Sequence, residues 1–200
     1  MNSIDDLDFS KSYTYADYYS WRFEERLELI KGKIFRMSPA PSGNHQIVSL
    51  NISGELYNYL KGKPCKVFAA PFDVRLVRDE KSDKKIKTVV QPDVCVICDP
   101  DKMADPRSCL GAPDIIVEIL SPGNNKKEIK TKYDLYEEFG VKEYWVVQPD
   151  EQTLLRYVLN EDGIFVVPER MLTVGDTLTT PILPGFELAM DDVFRDLYQG

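Results

Sequence analysis

Two hundred residues, 43% hydrophobic and 29% charged, are enough for one buried core and exclude a wholly disordered chain. A net charge of −8 and a pI near 4.8 count against avid nucleic-acid binding by bulk electrostatics, although a divalent-cation site also produces an acidic field. No apolar run reaches bilayer length, and Asp5 and Asp6 stand where a secretory leader would be basic, so a cytoplasmic protein is expected.

Residues 1–12 are polar and acidic and read as a loose arm. Residues 13–25 read as a short helix with Thr14 as its cap. Apolar runs at 27–30 and 34–37 flank Lys31-Gly32-Lys33, a hairpin signal with glycine in the turn, and residues 38–43 form a loop. Residues 45–60 are helical. Ile47, Leu50, Gly54 and Tyr57 make one stripe and Val48, Ile52, Leu56 and Tyr59 a second, which predicts cover on both sides, by a sheet and by a second subunit.

Strands are predicted over 67–77, 90–98 and 114–120. Ser121-Pro122-Gly123-Asn124 breaks the chain, and Asn124 or Asn125 can cap a helix that runs to Phe139 and ends at Gly140. Residues 144–147 lack polar alternation, as in a strand buried on both faces. Strand signals at 154–159, 164–167 and 181–186 predict an antiparallel extension and tail. No internal repeat is found. The order helix, three strands, helix, strand gives a mixed α/β fold, with a right-handed parallel crossover from Glu118 to Trp145.

The four cysteines are Cys65, Cys95, Cys98 and Cys109, and free thiols are expected in a reducing compartment. Cys95 and Cys98 form a C-x-x-C pair, but on a strand residues three apart face opposite ways and cannot share a metal.

Two acids stand out. Asp93 follows Pro92 at the start of an apolar strand, and Glu118 lies inside the apolar run 115–120. A carboxylate there is costly unless it is paired, hydrogen-bonded or bound to metal, and two acids on adjacent strands can hold a divalent ion by oxygen. On the following helix Ile129, Tyr133, Leu135, Tyr136 and Phe139 form one apolar sector, with Lys132 near its middle and Lys130 pointing away. Glu128, one turn before Lys132, lies at the sector's edge. The ordinary alternatives are a snorkelling Lys132 or an i,i+4 bridge to Glu128.

These residues resemble the Uma-two family of restriction-endonuclease-like proteins, formerly a domain of unknown function, within the PD-(D/E)XK nuclease superfamily. The likeness runs over residues 13–198 and is most specific at Ala112-Pro113-Asp114-Ile115-Ile116-Val117-Glu118-Ile119-Leu120-Ser121-Pro122, then at Glu128, Lys132, Tyr136 and residues 140–147. Gln91-Pro92-Asp93-Val94, Glu28 with Gly32, and His45 match further family positions. The resemblance implies a single restriction-endonuclease-like domain over 13–200 with an N-terminal hairpin and a C-terminal β extension. It also implies Mg²⁺ or Mn²⁺ on Asp93 and Glu118, a DNA substrate, and catalysis aided by Lys132 and Glu28. The acid-x-Lys tripeptide would place a lysine at position 120, where this chain has Leu120, and Lys132 matches the family's relocated lysine.

Secondary candidates are His45, as a base or as a helix-start packing residue, Asp73, for which pairing with Arg75 is the alternative, and Glu128. Lys81 to Lys87 and Lys126-Lys127 with Lys130 are basic clusters able to meet phosphates. Two functions follow: a metal-dependent endonuclease working as a homodimer, or an inactive nuclease-fold protein that binds nucleic acid or a partner. Nucleophilic hydrolysis by Ser121 lacks the Gly-x-Ser-x-Gly elbow.

Overall fold

The computed structural model describes residues 4–22, 25–37, 42–121 and 126–198. The chain begins with a 3₁₀ turn (Ile4–Asp6) and helix α1 (Tyr15–Ser20), which Thr14 caps in a reciprocal box with Asp17. Strands β1 (Leu27–Ile30) and β2 (Lys33–Arg36) form the expected hairpin. Its two turn residues, Lys31 and Gly32, have φ of 52° and 81°, the left-handed geometry of a tight type I′ turn. Helix α2 (Gly43–Leu60) starts at Ser42, whose hydroxyl accepts the His45 N–H.

The predicted strand over 67–77 is two strands in two sheets, β3 (Lys66–Ala69) and β4 (Asp73–Arg75). Pro71 lies between them and has no N–H for a ladder, so the chain leaves one sheet and enters the other there. Likewise β5 (Val89–Val90) and β6 (Val94–Ile97) are separated by Gln91-Pro92-Asp93. A short β7 (Ser108–Leu110), not expected from the sequence, precedes β8 (Ile115–Ile119).

Helix α3 (Lys126–Phe139) ends where predicted. Gly140 takes φ +81° and the Val141 N–H reaches back to the Tyr136 carbonyl, a left-handed C-terminal cap. The proposed caps Asn124 and Asn125 lie outside the described residues. So does most of the loop over 38–43.

Strands β9 (Glu143–Gln148), β10 (Thr153–Leu159), β11 (Phe165–Val166) and β12 (Leu172–Thr173) follow. A separate pair, β13 (Thr177–Thr179) and β14 (Glu187–Ala189), leads into α4 (Met190–Val193). The strand expected over 181–186 is instead a turn, with Leu183 and Phe186 buried as plugs rather than ladder residues.

One sheet runs β2-β1-β5-β4-β7, and the larger runs β11-β10-β9-β8-β6-β3 with β12 on β10. β8 and β9 are parallel, as the helical crossover requires. Alternation along β8 sorts its side chains: Ile115, Val117 and Ile119 pack with Val48, Ile52 and Leu56 of α2. Ile116 points to the opposite side, toward Leu135 and Tyr136 of α3. Glu118, two residues on, therefore faces α3. On α2 the first stripe is left partly open by the described residues: Leu50 is 73% and Tyr57 61% exposed. No helix among the described residues is long and apolar enough to cross a membrane.

The cysteine expectation is corrected. Cys65 and Cys98 form a disulfide that ties the start of β3 to the end of β6, and Cys95 and Cys109 are buried free thiols. The opposed directions of Cys95 and Cys98 hold: Cys95 lies in the core beneath α3 and Cys98 against the core beneath α2.

Candidate active site

Three elements converge on one ammonium. Lys132 projects from the inner face of α3 and is 8% exposed. Its Nζ donates to Glu28 Oε1 at 2.5 Å and to Glu118 Oε1 at 3.2 Å. Glu28 sits mid-strand on β1, where Leu27 and Leu29 turn into the N-terminal core and Glu28 alternates to the other face. Tyr136, one helical turn beyond Lys132, donates its hydroxyl to the same Glu118 oxygen.

Asp93, just ahead of β6, accepts the Ile119 N–H at 2.7 Å, while His45 Nε2 lies 3.3 Å from the same carboxylate oxygen. Buried His45 Nδ1 has no hydrogen-bond partner among the described residues. Glu28, His45, Asp93, Glu118 and Lys132 all line one cavity of about 400 Å³, a ligand-sized volume.

Burial raises the Glu118 pKa to about 7; Lys132 opposes the shift, and Asp93 and Glu28 reinforce it. Burial also acts against the charge on Lys132, but Glu118 and Glu28 outweigh it and hold the ammonium above its ordinary pKa. The Tyr136 hydroxyl is pushed well up, by burial first and then by Glu118. Among the described residues, two deeply buried acids away from the cavity are satisfied structurally. Glu143 accepts from Trp145 and Thr180, and Asp114 from the Cys98 N–H and Lys142. Glu118 and Glu28 differ in opening onto a cavity.

Glu128 and Lys127 line the cavity from the exposed first turns of α3, and Ser121 lies at its edge. Lys132 bridges to Glu28 and Glu118 rather than to Glu128, and Lys130 points outward to Asp134. Asp73 is not in the cavity wall. It accepts from Tyr18 and Gln91, while Arg75 pairs with Asp83 and Asp105. Sequence reasoning missed Gln91 as a hub: its N–H holds Glu28 Oε1, and its side chain joins Arg26 to Asp73. The missed signal was a polar Gln between the paired strand Val89–Val90 and Pro92.

Among the described residues no group of three or more His, Cys, Asp and Glu side chains is arranged to hold a metal ion. The donor chemistry nevertheless fits a hard divalent cation. Asp93 and Glu118 offer carboxylate oxygens in the cavity lining, which holds four carboxylates in all, with Glu28 and Glu128. A Mg²⁺ site commonly takes one or two carboxylates and completes its shell with water and phosphate oxygens.

The model of a family described as "Putative restriction endonuclease" (Uma2) matches residues 15–191. No curated protein matches the chain. Among solved structures, a crystal structure of "a putative nuclease belonging to DUF820" from Anabaena variabilis superposes with a TM-score of 0.66 at 18% identity. The match covers 90% of this chain and 97% of that one, and at this identity it speaks for the fold.

Proposed function

The chain belongs to the Uma2 family, and from that premise we propose that it is a Mg²⁺-dependent endonuclease hydrolysing phosphodiester bonds of DNA in the cavity at Glu118. Lys132 carries the proposal: an ammonium buried between two carboxylates at a cavity wall is a poor stability device. Apolar residues of equal volume would serve the core at least as well.

Asp93 and Glu118 would hold Mg²⁺, or Mn²⁺ in its place. When bound, such an ion polarises a phosphate oxygen and acidifies water. Lys132 places a fixed positive charge where negative charge develops on the phosphate, and a preorganised donor of that kind is worth roughly 10²–10³-fold in rate. Glu28 holds Lys132 in position, and Gln91 holds Glu28. His45 steadies the Asp93 oxygen that also takes the Ile119 N–H.

The test is calorimetric titration of Mg²⁺ and Mn²⁺ into wild type and Glu118→Ala, beside cleavage of plasmid DNA by wild type and Lys132→Met. Metal binding lost in the first variant and cleavage lost in the second are expected. Metal-dependent cleavage that survives Lys132→Met would sink the assignment. Leu120, standing where the superfamily tripeptide has lysine, favours the second reading of an inactive nuclease fold that binds nucleic acid or a partner. DNA retention without cleavage at any metal concentration would select it. The exposed Leu50 and Tyr57 stripe on α2 favours a homodimer, which a monomeric mass in solution scattering would refute.

A further inference from the structure

Phe35 sits directly across the β1–β2 ladder from Glu28. Cross-strand partners share a sheet face, so its ring projects into the same cavity as Glu28, Glu118 and Lys132. Its neighbour Ile34 turns the other way and packs against the N-terminal core. Phe35 remains 43% exposed, an aromatic ring kept in water beside an ionic cluster. Single exposed apolar residues are ordinary, but this one stands in the wall of the one cavity that holds the buried ion cluster.

The cavity lining carries further cations. Arg26 donates from Nε and Nη2 to Gln91 Oε1 at 3.0 and 2.8 Å, a neutral acceptor that fixes the guanidinium without cancelling its charge. Gln91 is itself held, through its N–H on Glu28 and its amide on Asp73. Lys127 joins the lining from the first turn of α3. A held arginine, a lysine and an apolar ring around one cleft are what a nucleotide needs: charge for the phosphate and a flat face for the base.

In a regular duplex the base faces are covered by their neighbours, and a ring seated in a cleft reaches one only when that base is unpaired or extruded. Resting on the nuclease assignment, we infer that the substrate is a polynucleotide with an unpaired nucleotide, its base stacked on Phe35 and its phosphates between Arg26 and Lys127.

The test is fluorescence anisotropy of labelled single-stranded DNA, the same sequence as RNA, and the DNA duplex, with Ca²⁺ present in place of Mg²⁺. Wild type is expected to bind a single strand more tightly than the duplex, and the DNA and RNA arms identify which polymer is taken. Phe35→Ala should weaken single-strand binding by roughly 5- to 150-fold, the equivalent of one stacked base. Phe35→Tyr should stay within a few-fold of wild type. Should Phe35→Ala fail to fold, Phe35→Trp supplies the second readout, with emission quenched by the single strand and not by the duplex. Equal affinity for both forms, or single-strand binding indifferent to Phe35→Ala, overturns the stacking site and leaves the nuclease assignment standing. Failure of wild type to bind any of the three overturns both.

Discussion

Lys132→Met keeps the apolar stem that packs in the α3 sector and removes only the ammonium. That ammonium lies 2.5 Å from Glu28 and 3.2 Å from Glu118. Removing one partner of a buried ion pair typically costs about 3–5 kcal/mol. Glu118 relieves part of this by taking up a proton. Burial already lifts its pKa from 4.5 to about 7, and Lys132 is the main influence holding it down.

The sign follows directly. A carboxyl with a raised folded-state pKa contributes stability that is complete below its unfolded value and is lost as pH rises through the folded one. Without Lys132 the folded value climbs further, so variant and wild type diverge as pH passes 7. A loss of about 3 kcal/mol is expected at pH 8.5, and roughly half of it at pH 6. For a chain of this size about 3 kcal/mol corresponds to a fall in Tm of roughly 6–12 °C. Urea melts in EDTA at the two pH values measure it, with Glu118→Gln/Lys132→Met as the partner that restores stability at pH 8.5. A loss that is the same at both pH values would refute the coupling of Lys132 to Glu118.

Glu118→Gln alone cannot ionise, so in EDTA it should gain on wild type between pH 4.5 and 8, by at most about 3 kcal/mol; parallel stability profiles would contradict the raised pKa. Replacing Glu28, Glu118 and Lys132 together by leucine should leave stability unchanged or raise it by about 1–4 kcal/mol while abolishing calorimetric Mn²⁺ binding. A loss beyond 2 kcal/mol on that scale would instead make the cluster structural. The Cys65–Cys98 disulfide closes a separation of 33 residues, worth roughly 3–4 kcal/mol by loop entropy. Thiol labelling in denaturant without reductant should therefore find two of the four cysteines, and four would refute the bond. Gly140→Ala forces a Cβ into φ +81° and should cost about 1 kcal/mol; an unchanged urea midpoint would count against the left-handed cap.

What the sequence could carry was local periodicity. The apolar run 115–120 singled out Glu118, and the helical sector around Tyr136 placed Lys132 inward, because each is a pattern within one element. The Gly140 stop and the Lys31-Gly32 turn were legible for the same reason. The contacts that finish the site were not, since they join elements far apart in the chain. Glu28 meets Lys132 across 104 residues, and Gln91 meets Glu28 across 63. The Cys65–Cys98 bond depends on β3 pairing with β6, which no spacing rule reveals. Residues 67–77 misled because their β-branched and aromatic run outweighed Pro71, whose missing N–H sends the chain from one sheet to the other.

The position of Lys132 has a physical consequence in this topology. A lysine at position 120 would rise from the same strand as Glu118, on the same face, and could serve only the larger sheet. Lys132 rises from α3 and touches carboxylates of both sheets, Glu28 on the β1–β2 hairpin and Glu118 on β8. The ammonium therefore fixes how the hairpin stands relative to the acidic strand. Phe35, Arg26 and Gln91 travel with that hairpin or bond to it. One charge on the helix thus sets the distance between Glu118, where the chemistry is proposed, and the cavity wall that would meet the substrate. Leu120 packs against the core beneath α3. The tie between the two sheets is supplied by the helix and not by the strand.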